Sequence, residues 1–294
     1  MPHRPGPTTD LRAALRGVRA LLLDLDGVIV LAGKAIPGAT EAIAELERRA
    51  MPYRIVTNTS AVSRETLSMW SARLGAPIPA ARFESALSAS AAWTARHFKG
   101  QQLYVLASED ARQEFEGQRL LSHDEAGARG ATAAAVVIGD SPEDATYDNL
   151  NRAFRLVLNG AVLVGMHRNA WWLTPEGPTL DSGAFVAGLE FASGRKATVI
   201  GKPSPAFFAQ GVRDLRKEVG RGLARGDIAM VGDDIRTDIL AAQRAGLRGI
   251  FVTSGKHSAA DIENAAAKRG GRRPDAVAPD LAAVVRAIEE VVGG

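Results

Sequence analysis

The sequence predicts an α/β protein with a doubly wound parallel sheet, because short apolar runs alternate with longer amphipathic segments along most of its 294 residues. The runs are only a few residues long and almost continuously apolar, which is typical of parallel strands covered by helices on both faces. We expect strands over residues 20–23, 54–56, 103–106, 134–138, 162–164, 198–200, 228–231 and 250–252.

Between these strands, the clearest helix is expected over residues 141–159. Ser141 is suited to the N-cap, Pro142 to the first helical position, and Asp144 to the acidic position of a capping box. Apolar residues then recur at helical spacing, namely Leu150, Ala153, Phe154, Val157 and Leu158. Gly160 is expected to end the helix.

The composition is that of an ordinary globular protein, with 46% hydrophobic residues, 23% charged residues and a net charge of +3. So small a positive surplus does not indicate nucleic-acid binding. The chain has no cysteine, which excludes a disulfide scaffold, a thiolate metal site and a cysteine nucleophile. No apolar run reaches the roughly 18 residues of a membrane span, and residues 1–9 form a Pro-rich tail expected to be loose. We therefore expect a cytoplasmic protein that does not bind membranes.

Polar side chains follow four of the predicted strands at the point where each strand ends. They are Asp24, Asp26, Thr57, Asn58, Lys202, Asp233, Asp234 and Asp238. Each pattern taken alone is typical of an ordinary turn or helix cap. Together they are more informative, because the carboxyl ends of parallel strands share one edge of the sheet, where ligands bind. We therefore expect these carboxylates, hydroxyl and ammonium to form one site.

Crowded carboxylates beside one ammonium group predict a site for magnesium and phosphate. Carboxylates without counter-charge repel one another, so that either a pKa rises or a cation binds. Hard oxygen ligands suit Mg²⁺, and Asp24 and Asp233 are its expected ligands. Mg²⁺ and Lys202 would largely offset these two carboxylates and a phosphate group. Thr57 is expected to donate its hydroxyl to the phosphate, together with backbone N–H groups near Asn58.

The residues alone leave two roles open for Asp24. It is either a metal ligand only, or also a nucleophile that attacks phosphorus and forms an aspartyl-phosphate. Asp26 would then protonate the leaving alcohol and later deprotonate water. Because the ordinary pKa of aspartate is about 3.9, we expect the acidic neighbours of Asp26 to raise its pKa.

Four stretches resemble the four motifs of the haloacid dehalogenase superfamily: DLDGV at 24–28, TN at 57–58, GKPSP at 201–205 and GDDIRTD at 232–238. The longer stretches TNTS, GKPSP and GDDIRTDILAAQRAG resemble the subgroup with a large α/β cap, which includes nitrophenylphosphatase-like and NagD-like phosphatases. Within it, YDNLNRAFRLVLNGA, LDSGAFVAGLEFASG and GKPSPAFF are most similar to the phospholysine/phosphohistidine/inorganic-pyrophosphate phosphatase branch. The resemblance extends from about residue 19 to about residue 254 and implies a Rossmann-like core.

This resemblance implies roles for the matching residues. Asp24 would be the nucleophile and a Mg²⁺ ligand, and Asp26 the acid/base, with its backbone carbonyl also on the metal. Asp233 would be a further metal ligand. Thr57 and Lys202 would bind phosphate.

Three more residues have implied supporting positions. Asn58 would lie beside the phosphate. Asp238 would orient Lys202 or a metal-bound water, and Asp234 matches the motif less clearly.

The spacing of the motifs predicts an inserted second domain. About 140 residues with their own strand–helix alternation separate Ser60 from Gly201, too many for a loop. We expect a core over residues 1–87 and 195–294 and an α/β cap over 88–194. Such a lid would exclude water and select the substrate.

Candidate selector residues of the cap are His167, Arg168, Trp171, Trp172, Asp181 and Ser182. In one interpretation, Arg168 or His167 contacts an anionic leaving group and a tryptophan stacks on it. In the other, Trp171 and Trp172 are simply part of the cap core.

The predicted function is that of a Mg²⁺-dependent phosphatase acting on a small phosphorylated metabolite, whether a phosphate monoester, pyrophosphate or a phosphoamino acid. One alternative is a phosphotransferase or phosphomutase of the same superfamily. Another is a non-enzymatic receiver-type phosphoacceptor, although the order of the motifs and the long insertion argue against it. The resemblance also implies a homodimer formed through the cap.

Overall fold

The computed structural model describes residues 10–174, 176–258, 260–262 and 272–292. The tail predicted over residues 1–9 lies outside the described residues. The chain divides into two compact units. The first comprises Met1–Thr57, Ser68–Phe83 and Lys202–Gly294, and the second comprises Asn58–Leu67 and Glu84–Gly201.

The strands, in chain order, are β1 (Ala20–Leu23), β2 (Val30–Leu31), β3 (Lys34–Ala35), β4 (Tyr53–Thr57), β5 (Phe83–Ser85), β6 (Gln102–Leu106), β7 (Arg119–Leu120), β8 (Ala135–Ile138), β9 (Val162–Gly165), β10 (Trp171–Thr174), β11 (Gly177–Leu180), β12 (Thr198–Val199), β13 (Ile228–Gly232), β14 (Arg248–Val252) and β15 (Ala276–Ala278). Each strand predicted from the sequence is present, with ends shifted by at most two residues.

The α-helices are α1 (Leu11–Leu15), α2 (Ala39–Arg48), α3 (Arg64–Arg73), α4 (Ala86–His97), α5 (Glu109–Arg112), α6 (His123–Gly127), α7 (Tyr147–Leu158), α8 (Ser182–Ser193), α9 (Pro205–Val219), α10 (Leu240–Arg244) and α11 (Leu281–Val292). A π-helical turn, Ile235–Ile239, precedes α10. Within the described ranges, no helix is both long and apolar enough to cross a membrane.

The sheet of the first unit has the strand order β15-β14-β13-β1-β4-β5. The pairs β13–β14, β1–β13, β1–β4 and β14–β15 are parallel. β1 and β13 are buried at every position, as expected for strands covered on both faces. Leu23 at the end of β1 lies opposite Val231 of β13 and Ile55 of β4, so these three strands end at the same edge.

The second unit contains its own parallel sheet, with the order β12-β9-β8-β6-β7. Its core is formed by apolar side chains of β6, β8 and β9 packed against those of α7 and α8, among them Leu106, Val136, Leu163, Val157 and Val186. The α/β prediction, with a parallel core sheet and an inserted second α/β unit, is therefore confirmed.

The division into units differs from the predicted boundaries, which followed residues 87 and 194. Residues Asn58–Leu67, expected in the core, belong to the second unit. The reason is a set of polar contacts between side chains distant in sequence. The backbone N–H and hydroxyl of Ser63 donate to the Asp110 carboxylate over 2.7 and 3.0 Å. Nε of Arg64 lies 2.9 Å from the Glu114 carboxylate.

The helix predicted over residues 141–159 begins later than expected, at Tyr147 in α7. Ser141 and Asp144 form a turn instead, in which the Ser141 Oγ accepts from the Asp144 N–H over 3.2 Å. The N-cap is Thr146, whose Oγ1 accepts from the N–H of Asn149. The Asp144 carboxylate accepts from Arg112 over 2.7 Å, a partner that the local pattern does not reveal.

Candidate active site

The first unit brings the first and last acidic motifs together because they follow adjacent strands. Leu23 of β1 pairs with Val231 of β13, and the backbone N–H of Asp24 donates to the Val231 carbonyl over 2.9 Å. Asp24 and Asp233 therefore leave the same edge of the sheet, and both side chains are buried.

Lys202 connects two of the carboxylates. Its Nζ lies 2.7 Å from Oδ1 of Asp24 and 2.8 Å from Oδ1 of Asp238, and the residue is only 3% exposed. Burial lowers the pKa of the Lys202 ammonium, but attraction to Asp238 and Asp24 outweighs this effect, so the net pKa is raised. Lys202 is therefore protonated at neutral pH.

Asp24, Asp233 and Asp238 form a buried acidic cluster, in which carboxylate oxygens lie within 4.8 Å of one another. Burial and the charge of Asp24 raise the pKa of Asp238 to about 8. Burial and the charge of Asp238 raise the pKa of Asp233 to about 6. Burial raises the pKa of Asp24 as well, against the opposing attraction of Lys202.

This acidic cluster has the donors that a hard divalent cation requires. When all four side chains are ionised, Lys202 contributes one positive charge against the three carboxylates. Mg²⁺ binds oxygen at about 2.1 Å, so that ligands on opposite sides of one ion are about 4.2 Å apart. The cluster's oxygens lie within 4.8 Å of one another, so one ion of this size could contact all three carboxylates. The raised pKa values indicate carboxylates that a bound cation would keep ionised.

The remaining core candidates occupy the same strand ends. Asp26 is exposed, and its backbone pairs with that of Val30. Thr57 is buried at the end of β4, the neighbour of β1 in the sheet. Asn58 falls in the second unit, where its Nδ2 donates to Oδ1 of Asn169 over 3.1 Å. The expected rise in the pKa of Asp26 stays a prediction.

Asp234 lies outside the acidic cluster, although it is adjacent in sequence to Asp233. Its Oδ1 accepts from the backbone N–H groups of Arg236 and Thr237, over 2.8 and 3.0 Å, and so caps the π-helical turn. Burial raises the pKa of Asp234, but its bonds to His257 and to these N–H groups outweigh burial and lower the net pKa. Of the two aspartates that follow Asp233 in this motif, Asp238 and not Asp234 is part of the acidic cluster.

In the second unit, the buried imidazole of His167 contacts three polar side chains. Its Nε2 lies 3.0 Å from Oγ of Ser60, 3.1 Å from Oγ of Ser182 and 3.4 Å from Oδ1 of Asp181. Burial lowers the pKa of His167 to about 4, so the imidazole is neutral at pH 7. Contact of His167 with an anionic leaving group stays a prediction.

Arg168, the alternative cation, forms an ion pair with Glu190 over 2.9 Å. Trp171 and Trp172 lie in the β10–β11 hairpin and are 47% and 42% exposed. Their interpretation as buried core of the second unit is therefore wrong.

Asp181 caps α8 by accepting from the N–H of Ser182. Contact of any of these side chains with substrate stays a prediction.

The structure adds one segment that sequence reasoning missed, the loop after β14. The backbone N–H of Lys256 donates to Oδ2 of Asp233 over 2.9 Å, and Nε2 of His257 lies 3.4 Å from Oδ2 of Asp234. The signal was present, because the strand predicted over residues 250–252 is β14, the parallel neighbour of β13 in the sheet of the first unit. The sequence after it, TSGKH, contains no acidic residue and is typical of an ordinary loop. The expectation that all four strands share one sheet edge is wrong for the strand before Lys202, because β12 pairs with β9 in the sheet of the second unit.

Comparison with known proteins agrees with the geometry. A haloacid dehalogenase-like hydrolase model matches residues 21–120, and a HAD-hydrolase-like model matches residues 199–284. These ranges contain Asp24 and Thr57 in the first, and Lys202, Asp233 and Asp238 in the second.

Similar proteins cover most of the chain. It is 36% identical over 249 residues to haloacid dehalogenase-like hydrolase domain-containing protein 2 of Bos taurus, covering 85% of this chain and 89% of that one. It is 34% identical over 263 residues to the phospholysine phosphohistidine inorganic pyrophosphate phosphatase of Homo sapiens, covering 87% and 91%. The solved structure of NagD from E. coli K-12 matches with a TM-score of 0.76 at 26% identity, covering 90% and 97%. The chain therefore belongs to the haloacid dehalogenase-like hydrolase family, and the predicted phosphohydrolase is confirmed at that level.

Proposed function

We propose that this hydrolase is a Mg²⁺-dependent phosphatase that cleaves a small phosphorylated metabolite through an aspartyl-phosphate on Asp24. The observation that supports this most directly is the buried Lys202 ammonium, which lies 2.7 Å from Asp24 and 2.8 Å from Asp238. Such a cation positions one carboxylate oxygen and provides positive charge where the oxygens of a phosphoryl group would lie.

The proposed metal ligands are the carboxylates of Asp24 and Asp233, with the backbone carbonyl of Asp26 added from the family resemblance. When bound, Mg²⁺ would neutralise charge on the phosphoryl oxygens during transfer. The support from this chain is the acidic cluster, with its oxygens within 4.8 Å and the raised pKa of Asp233.

The chain's own residues would carry the two transfer steps. In the first, an Asp24 oxygen bonds to phosphorus, the bond from phosphorus to the leaving oxygen breaks, and Asp26 protonates that oxygen. In the second, Asp26 takes a proton from water as the water oxygen bonds to phosphorus. The bond between phosphorus and the Asp24 oxygen breaks, which releases inorganic phosphate and restores the Asp24 carboxylate. Thr57 would donate a hydrogen bond to the phosphoryl oxygens, and Lys202 would balance their charge.

The proposed substrates are a phosphate monoester, inorganic pyrophosphate and a phosphoamino acid. The last two are supported by the name of the human relative that is 34% identical to this chain. The second unit is proposed to act as the cap that selects among them, with the exposed Trp171 and Trp172 as candidate contacts. A panel of these compounds ranked by kcat/KM would identify the substrate class.

Hydrolysis of p-nitrophenyl phosphate tests the reaction itself. We expect sustained release of p-nitrophenol and inorganic phosphate with Mg²⁺, loss of both on addition of EDTA, and recovery when Mg²⁺ is restored. Release of a single equivalent of p-nitrophenol would indicate a phosphoacceptor rather than an enzyme. Transfer of phosphate to an added alcohol, without inorganic phosphate, would indicate the phosphotransferase alternative.

A further inference from the structure

The loop after β14 encloses the carboxylate of Asp233. The backbone N–H of Lys256 donates to Oδ2 of Asp233 over 2.9 Å. Two residues earlier, the hydroxyl of Ser254 donates to the backbone carbonyl of Gly27 over 2.7 Å. This second bond joins the loop to the turn that follows Asp26, so the carboxylate lies between two connected backbone segments.

Two glycines make room for this arrangement. A β-carbon at Gly255 would collide with Cβ, Cγ and Oδ2 of Asp233, and a β-carbon at Gly27 would collide with the same atoms. Gly27 has a φ of +78°, so its backbone also favours glycine. The φ of Gly255 lies outside the left-handed region, so only the space that Asp233 occupies requires a glycine there.

We propose that Gly27, Ser254, Gly255 and Lys256 form a clamp that positions Asp233 for Mg²⁺ binding, with Oδ2 held by the loop. We refer to these four residues as the Asp233 clamp. This inference rests on the proposed function, in which Asp233 is a metal ligand. None of the four is proposed to touch the metal or the substrate through its side chain, so each acts as a positioning residue.

The physical reason is that Mg²⁺ requires nearly ideal octahedral geometry and does not tolerate a misplaced ligand. An aspartate without such contacts would sample several rotamers, and part of the binding free energy would be lost in ordering it. Hydrogen bonds to the ligand fix its orientation in advance, and their removal typically weakens metal binding by about 10- to 100-fold. The Asp233 clamp provides one such bond and a steric enclosure around the same carboxylate.

Two substitutions test the clamp through different contacts. Ser254→Ala removes the hydroxyl that joins the loop to Gly27, and Gly255→Ala introduces the colliding β-carbon. The Mg²⁺ dissociation constant is measured by isothermal titration calorimetry in the absence of substrate. We expect both variants to bind Mg²⁺ about 10-fold or more weakly than the unmodified protein, and Ser254→Thr, which keeps the hydroxyl, to restore the affinity.

Matched controls separate this effect from a general loss of stability. Ser258→Ala removes an exposed hydroxyl of the same loop that bonds to Asp261. Gly222→Ala adds a β-carbon to an exposed glycine that has no neighbouring atom within 4 Å of that position. Both controls should bind Mg²⁺ like the unmodified protein, and circular dichroism should show that all variants are folded.

The outcomes distinguish the clamp from the proposed function. If the unmodified protein binds Mg²⁺ and the folded Ser254→Ala and Gly255→Ala variants bind it equally well, the clamp is overturned while the phosphatase proposal stands. If the unmodified protein itself shows no Mg²⁺ binding, both are overturned. Ser254→Ala removes a hydrogen bond and Gly255→Ala adds a colliding β-carbon, so if only one of the two variants folds, its Mg²⁺ affinity decides the question.

Discussion

Lys202 is the side chain on which the proposed chemistry most depends. Its ammonium is buried and lies within 2.8 Å of two carboxylates, Asp24 and Asp238. A buried ion pair adds little net stability, because removing the charges from water costs about as much as their attraction returns. The arrangement is better explained by positioning, since it holds one oxygen of Asp24 and keeps a positive charge beside it.

Replacing Lys202 with alanine should lower kcat/KM for p-nitrophenyl phosphate by about 100- to 1000-fold, the usual effect of losing a preorganised group that stabilises the transition state. Asp24 and Asp238 would be left buried without this partner, so the free energy of unfolding should also fall by about 3–5 kcal/mol. Steady-state kinetics and urea unfolding measure the two effects. Lys217→Ala, which changes an exposed lysine paired with Asp214, is the control. An unchanged kcat/KM in the Lys202 variant would remove this residue from the site.

Asp26→Asn should separate the two transfer steps. p-Nitrophenol is a good leaving group that needs little protonation, so Asp24 should still be phosphorylated in this variant. Hydrolysis of the aspartyl-phosphate requires a base and should slow by about 100- to 10,000-fold. We therefore expect a burst of about one equivalent of p-nitrophenol, followed by almost no turnover, in rapid-mixing experiments. Asp24→Asn should show no burst, and normal steady turnover by either variant would show that its role is wrongly assigned.

His167 should make stability depend on pH. Its folded pKa of about 4 lies below the ordinary value of 6.5, so the unfolded chain binds the proton more tightly. The resulting stability is complete above pH 6.5 and is lost as the pH falls towards 4, by about 2 kcal/mol at pH 5. Urea unfolding at pH 7.5 and pH 5 should show a smaller loss in His167→Gln than in the unmodified protein. His97→Gln, at an exposed histidine, should lose as much as the unmodified protein. Equal losses in all three would contradict the shifted pKa.

Among the elements, the eight predicted strands were recognisable because each contains a short and nearly continuous apolar run. Strand β1 has the predicted ends, and β13 extends one residue further than expected. The start of α7 was not predictable, because Asp144 fits a local capping pattern but binds Arg112 and His123. The hairpins β2–β3 and β10–β11 were missed as well. The strands β2 and β3 have only two residues each, too few to show a periodic pattern. The Trp-rich segment that forms β10 could lie either in the core or at the surface.

The observed start of α7 predicts that Thr146, which caps this helix, contributes to stability. Thr146→Ala should lower the free energy of unfolding by about 1 kcal/mol, because the N–H of Asn149 loses its partner. Thr146→Ser keeps the hydroxyl and should lose much less. Urea unfolding at pH 7.5 compares the variants. Equal stability of Thr146→Ala and the unmodified protein would argue against Thr146 as the cap.

For the whole molecule, the order of motifs along the chain was enough to predict the family and a two-unit organisation. The geometry around Asp233 was not predictable, because it arises from a loop whose residues are ordinary in isolation. Ser254 and Gly255 become informative only when the fold brings them to Gly27 and Asp233. The same limit applies to Asp238. It lies within the π-helical turn Ile235–Ile239, whereas Asp234 caps that turn, and only the structure shows that Asp238 is the one that joins the acidic cluster.

The second unit is assembled from two separate stretches of chain, Asn58–Leu67 and Glu84–Gly201, with Ser68–Phe83 between them belonging to the first. A form of the protein that lacks the second unit therefore cannot be made by a single excision. Replacing residues 84–201 with a short linker would leave Ser63 and Arg64 in place but delete Asp110 and Glu114, to which they bind. In the shortened protein, the segment Asn58–Leu67 would follow the strand that ends at Thr57 and would have lost these two hydrogen-bonding partners.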